Sequence, residues 1–141
     1  HHHLRGLLAM AGGRWAQAES EFGKARWGRS GWTQTLIELA HAQLAQGHVA
    51  DALVTLHDAS TAQLAAMGSY VPRRELDFEM VRTFAAAGET YNAQVYAAYV
   101  TCAWRNADPD VRKRLAELSA SSTHVVPRQR VSVREKTVSV H

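Results

Sequence analysis

A recurring pair of glycine and alanine is the feature of this chain that most constrains its fold. Three glycines are each followed five residues later by an alanine. The pairs are Gly13 and Ala18, Gly47 and Ala52, and Gly88 and Ala93. The second pair lies thirty-four positions after the first, and the third lies forty-one positions after the second. Self-similarity at a period of this size predicts a repeat architecture, in which copies of one helical or strand unit stack on their neighbours.

The residue types in each copy are those that a turn between two packed helices requires. The glycine ends one helix, since a left-handed backbone conformation is easiest without a side chain. Two positions later a large residue, Trp15 in the first copy, fits between the helices at the turn. The alanine lets the second helix approach the first, and Phe22 or Leu56 follows one turn along on the same face. Each copy therefore predicts a helical hairpin with one uncovered apolar side.

The spacing of these small and large residues resembles the tetratricopeptide repeat (TPR) family. The matching positions of the first repeat are Gly6, Ala9, Gly13, Trp15, Ala18, Phe22 and Ala25, and those of the second are Ala40, Gly47, Ala52, Leu56 and Ala59. The third repeat keeps Phe84, Gly88 and Ala93 but has Thr90 where the family has an aromatic residue. The resemblance covers roughly residues 4–106, about three-quarters of the chain. It implies a solenoid of stacked helical hairpins.

Apolar periodicity and helix-breaking residues predict where the helices begin and end. We expect an all-α, TPR-like solenoid of about seven helices. They lie near residues 4–11, 15–27, 33–46, 49–67, 73–87, 91–106 and 109–120. The last helix begins at Asp108 and Pro109, an acidic cap followed by proline in the first turn, and it has the single apolar stripe of a capping helix. We assign residues 4–120 to one domain, and His1–His3 to a tag remnant or a truncated start.

Residues 121–141 form a basic tail with a different pattern. The chain has a net charge of +3, and the tail carries all of it because basic and acidic residues balance before residue 121. Pro127 forbids a helix across the tail, and two Val-Ser-Val segments flank a polar tetrapeptide. We expect an extended or hairpin conformation that docks on a neighbouring chain by strand addition. The predicted docking residues are Val131, Val133, Val138 and Val140.

The sequence has none of the motifs that mark an enzyme, a metal site or a cofactor site. It lacks a glycine-rich phosphate loop, a His-Glu-x-x-His motif, a Gly-x-Ser-x-Gly motif and paired cysteines. His41, His48 and His57 are spaced by seven and nine residues, which does not place three metal ligands on one helix. We therefore expect no enzyme activity, no metal and no cofactor.

The lone Cys102 and the aromatic residues near it predict packing rather than chemistry. A lone cysteine in a helix usually behaves as a small buried apolar residue. We expect the aromatic residues of the third hairpin to pack in the same way. They are Tyr91, Tyr96, Tyr99 and Trp104.

Charge and hydropathy also restrict the partners. No apolar run approaches the roughly 18 residues that a membrane-spanning helix needs, so we expect no membrane partner. The balanced charges before residue 121 argue against nucleic-acid binding through the body of the chain. We expect a cytoplasmic location, unless the chain is part of a larger secreted or membrane-tethered protein.

The resemblance implies where a partner would bind. In TPR arrays the first helix of each hairpin lines a concave face that holds a peptide or a partner helix. The matching residues are Leu7, Met10, Ile37, His41, Leu44, Phe78 and Arg82. The family variant that clamps a C-terminal carboxylate uses Lys, Asn and Arg at such positions, and only Arg82 fits it. A mainly apolar groove suits an amphipathic helix or an apolar peptide. Alternatively, a neighbouring helix or the tail buries these residues.

Two functions remain open at this point. The first is a protein-protein interaction scaffold that binds a peptide or partner helix through the groove. The second is a structural or relay module, without a ligand of its own, inside a larger bacterial regulator or assembly. Ala-rich repeat segments of this kind are similar to stretches of long bacterial transcriptional regulators and signalling kinases.

Overall fold

A computed structural model of the chain describes residues 1–26, 33–61 and 73–123. These ranges contain seven α-helices and no β-strand, which confirms the all-α prediction for them. The helices are α1 (His2–Ala11), α2 (Trp15–Ala25), α3 (Thr33–Ala45), α4 (Val49–Thr61), α5 (Arg73–Ala87), α6 (Thr90–Ala103) and α7 (Pro109–Thr123). Residues 121–123, predicted to begin the extended tail, belong to α7 instead. The rest of the predicted tail, 124–141, lies outside the described residues, and so do its docking residues Val131, Val133, Val138 and Val140.

Most helices begin or end within a few residues of the predicted positions. Helix α5 has the predicted bounds, and α7 starts at the predicted Pro109 but continues to Thr123 rather than ending at residue 120. Helix α6 ends three residues earlier than predicted. Trp104 there departs from helical geometry while its N–H still donates to the Val100 carbonyl, so the helix closes with a capped last turn. The predicted continuation of α4 over residues 62–67 lies outside the described residues.

The three repeat glycines adopt the conformation that the sequence predicts. Their φ angles are +68° at Gly13, +80° at Gly47 and +76° at Gly88. The N–H of the residue after each glycine donates to the carbonyl five residues back, at 2.9 Å in all three turns. The pairs are Arg14 with Ala9, His48 with Gln43, and Glu89 with Phe84. This bonding satisfies carbonyls that the end of a helix leaves unpaired, and it needs a residue that tolerates positive φ.

Consecutive helices pack as hairpins, and the hairpins pack on one another. Helices α1 and α2, α3 and α4, and α5 and α6 form the three hairpins, while α2 contacts α3 and α4 contacts α5. The odd-numbered helices also contact one another in succession, from α1 through α3 and α5 to α7. The repeat alanines lie at these crossings and are almost fully buried, as predicted. Ala18 and Ala52 are 0% exposed and Ala93 is 1% exposed.

Apolar clusters join each hairpin to the next. The first contains Ala9, Ala18, Phe22, Leu39 and Ala42, and the second contains Leu36, Ile37, Ala40, Ala52, Leu56, Ala59, Leu76 and Met80. The third cluster contains Phe78, Val81 and Val100, and Leu115 and Leu118 of α7 pack against it. The first two clusters each draw residues from two hairpins, and the third joins the third hairpin to α7, so burial of the apolar side of each hairpin depends on its neighbour.

Polar contacts tie the same elements together. Thr55 Oγ1 on α4 donates to Gln43 Oε1 on α3 at 2.9 Å, and both side chains are buried. On α2, the Glu21 carboxylate lies 2.7 Å from His2 Nδ1 and accepts a bond of 2.9 Å from Lys24 Nζ. The bonds to His2 and then to Lys24 lower the pKa of Glu21 to about 2. Glu21 is therefore ionised and held in place at neutral pH.

Candidate binding groove

All seven residues predicted for the groove lie on α1, α3 and α5, the helices that contact one another in succession. The repeat spacing places Leu7, His41 and Arg82 at equivalent positions, thirty-four and then forty-one residues apart. It relates Met10, Leu44 and Ala85 in the same way. These two rows follow the side of the hairpins formed by their first helices.

Two of the seven residues contribute to the interior rather than to an open surface. Ile37 is 7% exposed and packs in the cluster between the second and third hairpins. Phe78 is 5% exposed, with the Trp104 ring centroid 5.6 Å away and the Arg114 guanidinium carbon 4.6 Å from its ring centroid. Helix α7, which is not part of the repeat, supplies Arg114 and covers Phe78. For these two positions the structure shows burial by neighbouring helices.

The other five residues keep exposed surface. Leu7 is 36% exposed, and the remaining four are partly buried. They are Met10, His41, Leu44 and Arg82.

A cavity of about 310 Å³ lies where α3, α5 and α7 meet. Of the seven residues predicted for a groove, Leu44 and Arg82 line this cavity, and from here on the groove means this cavity. It is lined by Leu44, Arg82, Ala85, Ala86 and Leu118. Leu44 and Ala85 are repeat-equivalent, so the stacking of hairpins brings one register position of two repeats into one cavity. Ala85 had this signal in the sequence, whereas Leu118 had none because α7 lies outside the repeat.

A second cavity, of about 300 Å³, adjoins the groove. It is lined by Phe78, Arg82, Arg114, Glu117 and Leu118. Arg82 and Leu118 line both cavities. Arg82 is therefore the charged side chain that the two cavities share.

Arg82 is held by a buried carboxylate one turn away on α5. Its Nη1 atom lies 3.1 Å from both carboxylate oxygens of Glu79, which is 7% exposed. Burial raises the pKa of Glu79, and the positive charge and hydrogen bonds of Arg82 act in the opposite direction. The two contacts to Glu79 hold the Arg82 guanidinium at the groove.

His41 lies one turn before Leu44 on α3 and lines neither of the two cavities. Its ring stacks on Trp15, with centroids 6.1 Å apart and an interplanar angle of 28°. Burial lowers the pKa of His41, and the nearby charge of Arg82 lowers it further, against a smaller opposing effect of Glu38. The imidazole is therefore neutral at pH 7 and offers one donor and one acceptor.

Two packing predictions for the third hairpin are wrong. Cys102 is exposed, and so are Tyr91 and Tyr99, at 78% and 54%. Tyr99 nevertheless contacts the Tyr96 ring, with centroids 6.3 Å apart, and the Arg74 guanidinium of α5, whose carbon is 6.0 Å from the Tyr99 ring centroid. Tyr96 and Trp104 do pack, since Tyr96 stacks on Phe84 with ring centroids 5.6 Å apart and Trp104 contacts Phe78.

The described part of the chain shows no grouping of three or more His, Cys, Asp or Glu side chains suited to hold a metal ion. Among its helices, none combines the length and the apolar character needed to cross a membrane. The chain matches no protein-family model, no curated protein and no solved structure.

Proposed function

We propose that the chain is a TPR-type array that binds an apolar peptide segment or a partner helix through the groove. The observation that carries this proposal is the groove itself, in which repeat-equivalent Leu44 and Ala85 line one cavity beside Arg82. The positive φ of the three repeat glycines and the burial of the repeat alanines support the TPR assignment. The activity proposed is binding, with no catalysis and no cofactor.

The lining of the groove indicates what kind of ligand fits. Leu44 and Leu118 supply apolar walls, and the small side chains of Ala85 and Ala86 leave space for a ligand side chain. Both contacts of Arg82 to Glu79 use Nη1, which leaves Nε and Nη2 to donate to a ligand. A guanidinium held in place donates well to peptide carbonyl oxygens. An apolar side chain next to accessible carbonyls, as at the end of a helix, meets both requirements.

A structural or relay module of a larger bacterial regulator is the second candidate. The burial of Ile37 and Phe78 supports it, because these positions serve packing and leave a shorter binding face. Under either candidate we propose a cytoplasmic protein whose body does not bind nucleic acid.

A peptide-display selection on the full chain tests the first candidate. Selected peptides are synthesised, and their dissociation constants are measured by fluorescence anisotropy against three forms of the chain. These are the parent, Ala86→Glu and Ala98→Glu. Ala86 and Ala98 are both exposed alanines in helices, but only Ala86 lines the groove. The new carboxylate at position 86 lies one turn from Arg82, where it occupies the cavity and pairs with the guanidinium.

We expect Ala86→Glu to weaken binding at least about tenfold, a loss of about 1.4 kcal/mol, and Ala98→Glu to leave it unchanged. Circular dichroism of both variants checks that the helices remain. Selection of no specific peptide, or equal weakening by both substitutions, contradicts the groove and favours the relay module.

A further inference from the structure

The second cavity adjoins the groove along α5, and the proposed function assigns no ligand group to it. On this helix the groove is lined by Arg82, Ala85 and Ala86, and the second cavity is lined by Phe78 and Arg82. Phe78 precedes Arg82 by four residues, and Ala86 follows it by four. Four residues of a helix rise about 6 Å, so two side chains one turn apart on a helical ligand can fill both cavities.

Arg114 of α7 brings a second guanidinium to this cavity. Its guanidinium carbon lies over the Phe78 ring, 4.6 Å from the centroid, and 5.9 Å from the centroid of Trp104. The attraction between a cation and an aromatic face needs no hydrogen bond from the guanidinium to an oxygen. The two rings therefore hold Arg114 at the cavity without using its donors.

Within the described residues, both arginines keep donors for a ligand. The contacts of Arg82 to Glu79 use Nη1, and the contact of Arg114 to Glu75 uses Nη2. The second contact is 3.5 Å long and joins side chains that are 46% and 37% exposed, so it is weak. Nε and Nη2 of Arg82 and Nε and Nη1 of Arg114 are left to donate.

These donors, rather than the net charge, indicate which ligand group fits. Glu117 also lines the cavity, and Glu75 and Glu79 contact the two arginines, so the surroundings carry no excess of positive charge. A phosphate, with nearly two negative charges, is therefore a poor complement. A carboxylate carries one charge and has two oxygens that accept from guanidinium donors, in bonds stronger than those to neutral oxygens.

We propose that the second cavity binds a side-chain carboxylate of the ligand, an aspartate or glutamate one helical turn from the apolar side chain that fills the groove. Arg82 and Arg114 donate to this carboxylate, and Leu118 contacts both ligand side chains because it lines both cavities. The inference rests on the proposed function, since it assigns a second side chain of the same ligand.

A display selection on two forms of the full chain tests this pairing. The library presents helical peptides whose C-terminus is joined to the display protein, so any selected carboxylate belongs to a side chain. One arm selects on the parent and the other on Arg114→Gln. Arg112→Gln is the matched control, because Arg112 is also an exposed arginine of α7 but lines neither cavity.

Peptides selected on the parent and on Arg112→Gln should carry Asp or Glu three or four positions from an apolar residue. Those selected on Arg114→Gln should keep the apolar residue and lose the acidic preference, because the groove itself is unchanged. Circular dichroism of both variants checks that the helices remain.

A selected acidic peptide then measures the pairing directly. It is synthesised with an amidated C-terminus, beside a version in which the amide Gln or Asn replaces the acidic residue. On the parent and on Arg112→Gln, this replacement should weaken binding at least about tenfold by fluorescence anisotropy. On Arg114→Gln it should weaken binding less than about threefold, because the partner of the carboxylate is gone.

Each contrary result has its own meaning. Selected peptides without an acidic preference, or with one that Arg114→Gln preserves, overturn the carboxylate site and leave the groove as proposed. Selection of no specific peptide on the parent contradicts the proposed function and the carboxylate site with it. If the neutral peptide regains affinity when its C-terminus is a free carboxylate, the arginines bind a chain terminus, which also overturns the proposal.

Discussion

Adding one methyl group at two glycines on neighbouring helices should change stability in opposite directions. Gly6 is buried in α1, and a Cβ placed on it lies 2.5 Å from the nearest ring carbon of Phe22 and 2.7 Å from two others. Gly23 is exposed in α2, and a Cβ there has no atom within 4 Å. We predict that Gly6→Ala destabilises the chain and Gly23→Ala stabilises it.

The expected magnitudes follow from two effects. Replacing glycine by alanine inside a helix stabilises it by about 1 kcal/mol, and this gain applies at both positions. At Gly6 the new methyl group also overpacks the interior, which typically costs about 1–3 kcal/mol. Phe22 is 0% exposed, so its ring does not border solvent into which it could move aside. The net result is a loss of up to about 2 kcal/mol for Gly6→Ala and a gain of up to about 1 kcal/mol for Gly23→Ala.

Urea unfolding followed by far-ultraviolet circular dichroism measures both changes. The midpoint should fall for Gly6→Ala and rise for Gly23→Ala, with the slope of the transition unchanged. In the Phe22→Leu background the penalty at Gly6 should shrink, because the ring that causes it is gone. If Gly6→Ala stabilises the chain as much as Gly23→Ala does, the close contact between α1 and the Phe22 ring is wrong.

Three further predictions test the repeat register, the charge on α2 and the groove. Ala52→Leu should lower the free energy of unfolding by about 1–3 kcal/mol through overpacking, whereas Ala50→Leu on the exposed side of α4 should change it little. Equal urea midpoints for these two variants would refute the repeat register. The pKa of Glu21 is lowered from 4.5 to about 2, so its stabilising contribution is present above pH 4.5 and is lost as the pH falls towards 2. Glu21→Gln should therefore reduce the dependence of the urea midpoint on pH in that range. An unchanged pH dependence would count against the ion pairs of Glu21 with His2 and Lys24. In an NMR titration His41 should show a pKa below 6.5, and Arg82→Gln should raise that pKa. An unchanged pKa in Arg82→Gln would show that the charge of Arg82 does not act on His41.

Much of the helical framework could be predicted from the sequence, because its determinants are local. Positive φ at Gly13, Gly47 and Gly88 is a backbone requirement of each turn, and glycine meets it whatever surrounds it. The start of α7 at Pro109 is equally local. The repeated small residues at the crossings, such as Ala52, carried information about packing as well, since only a small side chain allows close approach of two helices.

The accessible surface could not be predicted in the same way, because it depends on which elements lie opposite each helix. Phe78 and Ile37 occupy the register of a binding face, yet α7 covers the first and the packed hairpins bury the second. Periodicity identifies an apolar side but not its neighbour, so it did not distinguish the exposed Leu8 from its buried equivalent Ala42. Burial is a property of pairs of elements, and α7 lies outside the repeat, so the repeat pattern could not show which residues α7 covers.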